Sequence, residues 1–470
     1  MGFMKPISKL RFDALASYAR QPAIFLIAEE LEWYEAGNEK VLGVLVRDRV
    51  DNDYAVCVLG RDKRKQFRAV KPVSSLPTVR KARQQLKVEM AKCLRWKKEE
   101  FYQGDEKGKP LNFFKPIVPN EKLNRSFREV SIRRQHPGRD LLAEMMNWYE
   151  DVDGNFIEQF QTTGFDARVW ELYLYAAFVE LGYVFDREYS APDFLCVGLA
   201  GKFFVEATTI NPSINGPLIE ELTEEEYFQN YLPIKFGSAL FSKLQKKYWQ
   251  LDHVGDLPLV FAIQDFHQPF AMTWSTHALI EYLYGVRPLR IQTADGQTAS
   301  MIENVASFKV GAKEVPSGFF FQPDAEHVSA VIANPGGTFA KFDRMAYLAG
   351  FGDRNMKMFR SGVRFLDLAN MQEFESAVHS PDYHETWVEG MSVYHNPRAL
   401  HPLPDFCIPT AAHHYFDGDN VSGHMPEFHP AGSITKVFQP TDHIDISLKE
   451  QSRSLPRLPT FKQGNLTDKP

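Results

Sequence analysis

The stretch APDFLCVGLAGKFFVEATT, residues 191–209, predicts a β-hairpin that carries one carboxylate on each strand. Two short apolar runs flank a turn, and a symmetric register that pairs Gly198 with Gly201 also places Asp193 directly opposite Glu206. Directly opposed residues stand about 4.5–5.5 Å apart at their Cβ atoms, where like charges destabilise a ladder. A divalent cation such as Mg²⁺ takes carboxylate ligands and would remove that repulsion. The alternative is a surface hairpin with two solvated acids.

The segment before the hairpin, FDARVWELYLYAAFVELGY (165–183), repeats apolar residues at helical spacing. We expect Asp166 to cap this helix at its start and Gly182 to stop it. Glu171 lies on the apolar stripe of the helix. A carboxylate that faces a core is costly unless it is paired or bound to a metal.

The elements around the hairpin follow an α/β order. A strand is predicted over 183–189 before the hairpin, and a helix over 236–251 and strands over 258–266 and 327–335 after it. Helix, three strands, helix and strand predict a mixed central sheet flanked by helices.

These elements and acids resemble the PD-(D/E)XK nuclease superfamily, whose core places a Glu on the first helix, an Asp on the second strand, and (Asp/Glu)-X-Lys on the third. The matching residues are Glu171, Asp193 and Glu206. The match covers about 165–266 and implies a restriction-endonuclease-like core. The family lysine is replaced by Thr208, which cannot supply a positive charge.

Some members of the superfamily carry that lysine on the following helix. The helix predicted over 236–251 offers Lys243, Lys246 and Lys247. Lys243 and Lys247 flank the apolar stripe formed by residues 240, 244 and 248, Lys246 points further away, and Lys243 is the preferred candidate. The alternative for each lysine is a solvated basic helix edge.

The resemblance implies a Mg²⁺-dependent nuclease, with Mn²⁺ as a possible substitute. Asp193, Glu206 and the Ala207 carbonyl would hold the ion, while Glu171 would bind a second ion or a metal-bound water. Lys243 would orient the attacking water. DNA is the expected partner, a homodimer is typical of restriction-type members, and no membrane partner is expected.

The sequence is expected to divide into four regions, of which one is the nuclease core. We expect an α+β accessory domain over 1–105, a helical connection over 106–155 with a helix at 138–149, the nuclease core over 156–350, and a C-terminal extension with a flexible tail over 351–470. In the first region, 40–48 and 53–62 predict a hairpin, and a helical pattern covers 78–102.

Charge is unevenly distributed along the chain. The net charge is −6, yet residues 61–100 hold fourteen Lys and Arg against four Asp and Glu, a local balance of +10. Such a stretch either contacts phosphates or forms a solvated helix face.

Composition also bounds the class of protein. Four scattered cysteines without a CxxC pair argue against a disulfide framework or a structural zinc site. The chain has no long apolar run and no signal-peptide pattern at its start, so we expect a cytoplasmic protein.

Two further constellations compete with the acidic site. Asp265 and His267 lie at the end of a predicted strand. They either contact the metal ligands from behind or simply form a polar strand end, and the second interpretation is preferred. Histidines at 395, 401, 413 and 414 could bind a transition metal, although their spacing fits no zinc motif and loop histidines on a polar surface are the preferred interpretation. The competing functions are therefore a non-catalytic nucleic-acid-binding or scaffold protein on the same fold, and a metal-dependent hydrolase that uses these histidines.

Overall fold

The predicted hairpin lies in an eight-stranded mixed sheet with helices on both faces, so the α/β class is confirmed. The computed structural model describes residues 3–106, 112–132, 136–151, 154–186, 188–213, 217–292, 298–367, 370–418, 420–438 and 458–461. Most of the predicted C-terminal tail lies outside these residues.

A separate five-stranded antiparallel sheet forms in the first hundred residues. Its elements are β1 (Met4–Ile7), α1 (Lys9–Ala16), α2 (Ile24–Ile27), β2 (Ala28–Ala36), β3 (Val41–Asp48), β4 (Tyr54–Arg61), β5 (Phe67–Leu76) and α3 (Val79–Leu94). The predicted hairpin is confirmed as β3 and β4. Thr78 caps α3 by accepting a hydrogen bond from the Lys81 N–H at 3.2 Å. The sequence pattern extends the helix to about residue 102, but α3 ends at Leu94.

Short helices connect this sheet to the larger one. They are α4 (Arg125–Val130), α5 (Gly138–Met145) and α6 (Phe156–Gln161). The helix expected over 138–149 therefore ends four residues early.

The central region follows the predicted order of elements. It contains α7 (Phe165–Glu180), β6 (Val184–Asp186), β7 (Phe194–Gly198), β8 (Gly201–Ile210), α8 (Glu224–Glu226), α9 (Leu232–Leu244), β9 (Leu259–Asp265), α10 (Thr276–Tyr284), β10 (Val286–Gln292), β11 (Thr298–Asn304), β12 (Ser307–Val310), β13 (Lys313–Pro316), β14 (Ala330–Ala333) and α11 (Phe339–Leu348). Three predicted helix ends are wrong, one in α7 and both in α9. Gly164, not Asp166, occupies the N-cap of α7, and α9 runs over 232–244 rather than 236–251.

The last part of the chain contributes to two sheets. Its strands are β15 (Lys357–Phe365), β16 (Met371–Ala377), β17 (Ser392–His395), β18 (Ala412–Phe416), β19 (Val421–His424) and β20 (His429–Phe438). β15, β16 and β20 form a three-stranded sheet, whereas β17, β18 and β19 extend the central sheet, whose order is β19-β18-β17-β14-β9-β8-β7-β6. Part of the region expected to be a C-terminal extension after residue 350 therefore completes the central sheet.

The two faces of the central sheet are covered by different helices. Alternate residues of β8 point to opposite faces: Phe203 and Val205 join the core that contains α7, while Phe204 joins the core that contains α9. Glu206 has the parity of Phe204 and therefore faces α9. This alternation decides which helix can supply partners to the acidic pair.

Candidate functional site

The predicted opposition of Asp193 and Glu206 fits the observed register. β7 and β8 pair antiparallel from Phe194 opposite Val205 to Gly198 opposite Gly201, and Asp193 directly precedes β7. The backbone ties the two carboxylates to the hairpin. The Asp193 N–H donates to Glu206 Oε2 at 3.2 Å, and the Ala207 N–H donates to Asp193 Oδ2 at 2.7 Å.

Two side chains that follow the hairpin in sequence converge on Glu206. Lys243 Nζ, near the end of α9, donates to Glu206 Oε1 at 2.5 Å, and Tyr248 Oη donates to the same oxygen at 2.6 Å. Glu206 is buried, with 4% of its surface exposed. A buried carboxylate needs a charge partner and hydrogen bonds, and these donors supply both.

The structure separates the three candidate lysines. α9 ends at Leu244, so Lys246 and Lys247 lie beyond its end. Lys246 is exposed, and Lys247 Nζ pairs with Asp324 at 2.8 Å. Of these three lysines, Lys243 is the one that contacts Glu206. The sequence pattern places Tyr248 only on the apolar stripe. A buried tyrosine usually finds a hydrogen-bond partner for its hydroxyl. This property is the one sequence signal that Tyr248 also contacts a polar group.

Asp193 keeps an unfavourable electrostatic environment despite these contacts. Burial raises the pKa of Asp193 well above its usual value, and the negative charges of Glu206 and Glu171 raise it further. Lys243 and the Ala207 N–H act in the opposite direction. Lys243 and the Ala207 N–H therefore do not offset the combined effect of burial and the two neighbouring carboxylates on Asp193.

Glu171 is positioned differently from the two hairpin carboxylates. It lies on α7, which packs on the face of the sheet opposite to α9. Arg168 Nη1 donates to both of its carboxylate oxygens, at 2.9 and 2.7 Å. The negative charge of Glu171 contributes to the raised pKa of Asp193, and Arg168 pairs with Glu171 at 2.7 Å.

The donor set around Asp193 and Glu206 fits a Mg²⁺ ion bound through two carboxylates. Mg²⁺ typically takes one or two carboxylates and keeps several waters, and the Ala207 carbonyl is a further oxygen on the same strand. In the part of the chain that the structure describes, Glu171, Asp193 and Glu206 do not form a group of three ligand atoms within 4.8 Å of one another. Glu171 would have to leave Arg168 to join them.

Asp265 ends β9 and His267 lies two residues further on, so the expected polar strand end is present, with both side chains buried. His267 Nδ1 lies 2.7 Å from Asp265 Oδ1, and Tyr227 Oη lies 3.0 Å from His267 Nε2. Glu206 is opposite Phe261, four residues before Asp265. At about 3.3 Å per residue, the pair is about 13 Å further along the strand.

The C-terminal histidines lie in the sheet rather than in surface loops, so that expectation is wrong for three of the four. His395 ends β17, and His413 and His414 lie on β18, all buried. His395 Nε2 and His413 Nδ1 are 2.8 Å apart, whereas His414 faces the other side of the sheet and stacks on Tyr394. His401 is partly exposed, with its Nε2 3.6 Å from an oxygen of Asp256.

The basic stretch is partly paired and partly exposed. The paired cations are Arg61 with Glu144, Arg68 with Asp105, Arg83 with Glu32 and Lys92 with Glu89. On α3, Arg80, Lys81 and Lys87 are exposed. This helix presents a positive face on the N-terminal sheet.

Comparison of the chain with family models, with curated proteins and with solved structures found no match. Among the described residues, no helix has the length and apolar composition needed to cross a bilayer. The chemistry of the site must therefore be argued from its own geometry.

Proposed function

We propose that the chain is a Mg²⁺-dependent nuclease that hydrolyses phosphodiester bonds of DNA at a site formed by Asp193, Glu206 and Lys243. The observation that carries the proposal is the 2.5 Å contact between Lys243 Nζ and Glu206 Oε1. It brings a positive side chain from α9 to a pair of opposed carboxylates on the hairpin. Thr208, at the position of the usual lysine, cannot do this.

The order of the elements supports the same proposal. α7, the antiparallel strands β6, β7 and β8, then α9 and β9 parallel to β8 follow the arrangement of the PD-(D/E)XK core. This arrangement supports a restriction-endonuclease-like core within residues 156–350. The function itself rests on the side chains of the site.

Each residue of the site has a role that follows from its contacts. Asp193, Glu206 and the Ala207 carbonyl would hold the ion. When bound, Mg²⁺ supplies a water of lowered pKa and polarises the phosphate. Lys243 would then share Glu206 with the ion, and its ammonium would orient the attacking water and offset negative charge on the phosphate.

Glu171 and Tyr248 would support these groups. Tyr248 Oη fixes the orientation of Glu206 through its 2.6 Å hydrogen bond. Glu171 would bind a second ion or a metal-bound water once Arg168 releases it.

A panel of substrates tests the proposal and identifies the substrate. Supercoiled plasmid, linear duplex, single-stranded DNA and RNA are incubated with Mg²⁺, Mn²⁺ or EDTA, using the wild type and Asp193→Asn. The matched control is Asp256→Asn, because the Asp256 side chain is 98% exposed. We expect metal-dependent cleavage of DNA that Asp193→Asn loses and Asp256→Asn keeps. Equal cleavage by all three proteins would contradict the proposal.

A non-catalytic nucleic-acid-binding protein is the second candidate, and one observation favours it. Both oxygens of Glu206 accept hydrogen bonds from protein donors, from Lys243 and Tyr248 at Oε1 and from the Asp193 N–H at Oε2. A carboxylate satisfied in this way can be purely structural. DNA binding that is independent of metal, with no cleavage of any substrate in the panel, would establish this candidate.

A further inference from the structure

A second cluster of possible metal ligands lies on the central sheet, away from the acidic pair. The strands β17 and β18 run parallel, with Val393 opposite His413. His395 is two residues beyond Val393, so His395 and His413 point to the same face. Asp405, in the connection between the two strands, completes the cluster.

The three ligand atoms are close enough to share one ion. His395 Nε2 lies 2.8 Å from His413 Nδ1, and Asp405 Oδ1 lies 3.4 Å from the former and 3.7 Å from the latter. Zn²⁺ binds imidazole nitrogen and carboxylate oxygen at about 2.0–2.1 Å, and in a tetrahedral site two such ligands are therefore about 3.3 Å apart. The three observed separations between ligand atoms, 2.8, 3.4 and 3.7 Å, lie on both sides of this value.

The surroundings of His413 direct the correct nitrogen toward the cluster. His413 Nε2 lies 3.0 Å from the Ile408 carbonyl oxygen. A carbonyl oxygen only accepts, so Nε2 carries the proton and Nδ1 presents its lone pair toward His395. Metal-ligating histidines usually donate their other ring N–H in this way.

The other two ligands are also held in position. Tyr415 Oη donates to Asp405 Oδ2, the oxygen that does not face the histidines. The ring of Tyr415 stacks on His395 with ring centroids 4.7 Å apart. The orientation of the carboxylate and of one imidazole is thus set by the same tyrosine.

Burial favours the neutral form of both imidazoles. Burial lowers the pKa of His395 to about 4, with His413 acting in the same direction, and burial also lowers the pKa of His413. Asp405 Oδ1 lies 3.4 Å from His395 Nε2, whereas its 3.7 Å distance from His413 Nδ1 is too long for a hydrogen bond. A neutral imidazole is the form that binds a metal.

We propose that His395, His413 and Asp405 form a binding site for a divalent transition-metal ion of the Zn²⁺ type, separate from the Mg²⁺ site proposed for Asp193 and Glu206. Two imidazoles and one carboxylate are ligands that such ions prefer, whereas Mg²⁺ prefers oxygen. The Asp405 side chain is 47% exposed, which gives an ion access to the cluster from solvent. In the part of the chain that the structure describes, no other His, Cys, Asp or Glu group meets this spacing.

Metal analysis of the full-length protein tests the site. The protein is loaded with Zn²⁺, desalted and measured for zinc per chain, in parallel with Asp405→Asn, His413→Ala and the control His401→Ala. We expect one zinc per chain in the wild type and in His401→Ala, even in excess Mg²⁺. His413→Ala should lose the zinc, and Asp405→Asn should bind at least ten-fold more weakly in competition with a chelating dye.

Asp405→Asn keeps the proposal falsifiable if His413→Ala fails to fold, because Asp405 is half-exposed and asparagine retains an acceptor for Tyr415. Loading with Co²⁺ adds a second readout, since four-coordinate Co²⁺ gives intense visible absorption that Asp405→Asn should reduce. A wild type that retains no zinc, or an Asp405→Asn variant with unchanged affinity and spectrum, would overturn the proposal. Glu206→Gln should keep its zinc, so this test does not depend on the nuclease proposal.

Discussion

The acidic pair and the histidine cluster lie on the same sheet but differ in the charge of the side chains that they bring together. Asp193 and Glu206 bring two carboxylates together on β7 and β8, and the sheet must recruit Lys243 to hold them. His395 and His413 bring two neutral imidazoles together on β17 and β18, and one hydrogen bond between the rings is sufficient.

The difference indicates which metal each site would take. Opposed carboxylates with a shortage of positive charge favour a hard cation and its waters. Neutral nitrogen ligands with one carboxylate favour a transition metal. The two sites also differ in their response to pH, because burial raises the pKa of Asp193 and lowers the pKa values of His395 and His413.

The largest effect is expected from Lys243→Ala, which removes the cation of the acidic site. DNA cleavage should fall by about 10²-fold or more, the range for loss of one electrostatic group at a reacting centre. The free energy of unfolding without Mg²⁺ should fall by about 1–3 kcal/mol, because Glu206 remains buried without its charge partner. Cleavage assays and urea unfolding measure the two effects.

Lys246→Ala is the control for this substitution. Lys246 is exposed just beyond the end of the same helix, and its removal should change stability by less than about 0.5 kcal/mol. Added Mg²⁺ should restore part of the stability missing in Lys243→Ala, since the ion replaces the absent charge. If the two lysine variants behave alike, the account of the acidic site is wrong.

A smaller effect is expected from Asp193→Asn on the pH dependence of stability. The raised pKa of Asp193 means that the folded state binds this proton more tightly than the unfolded state does. Its contribution favours folding at low pH and is lost as pH rises from about 3.9 through the raised value. At pH 8 without divalent ions, the variant should therefore be more stable than the wild type by about 1 kcal/mol.

That stability difference should shrink as the pH is lowered toward 4, and also on addition of Mg²⁺ at pH 8. Thermal unfolding across this pH range measures it, with the exposed Asp256→Asn as the control. A variant that is less stable than the wild type at every pH would show that the charged form of Asp193 does not destabilise the folded state.

The smallest effect is expected on the basic face of α3. Replacing Lys81 and Lys87 by Gln should weaken DNA binding by about 2- to 5-fold. It should also lower the slope of log affinity against log salt by about 0.9 for each phosphate that the variant no longer neutralises. Lys357→Gln, which changes an exposed lysine on β15, is the control. Unchanged affinity and slope in the double variant would show that these lysines are solvated and do not contact DNA.

Much of the acidic site follows from local rules of sequence. The Gly-flanked turn sets the register of β7 and β8, and period-two alternation then places Asp193 opposite Glu206. The stripe formed by Leu240, Leu244 and Tyr248 leaves Lys243 and Lys247 as candidates, and the end of α9 at Leu244 separates them. These steps depend on neighbours in sequence, where turn chemistry and periodicity are informative.

The histidine cluster cannot be found in the same way. His395 and His413 meet because β17 and β18 are parallel neighbours in the central sheet, and Asp405 comes from the connection between them. Pairing of strands that are separated by a long connection leaves no short-range pattern, so the sequence favours loops for these histidines.

The partner of Glu171 is hidden from the sequence for a different reason. Arg168 lies three residues before Glu171 on α7, at a spacing that allows an ion pair within one helix. The same spacing is equally compatible with an arginine that points to solvent. Only the packing of α7 against α6, where Arg168 Nε donates to Gln159 at 2.9 Å, decides between them.

The most direct test of the central claim is relaxation of supercoiled plasmid in Mg²⁺ by the wild type, Glu206→Gln and Glu188→Gln. Glutamine preserves the hydrogen-bonding shape of residue 206 but removes its charge, and Glu188 is an exposed glutamate shortly before the same hairpin. The account predicts that the wild type and Glu188→Gln nick the plasmid, and that Glu206→Gln is at least about 10²-fold slower with unchanged folding by circular dichroism. Equal nicking by the wild type and Glu206→Gln, or none by any of the three, would contradict it.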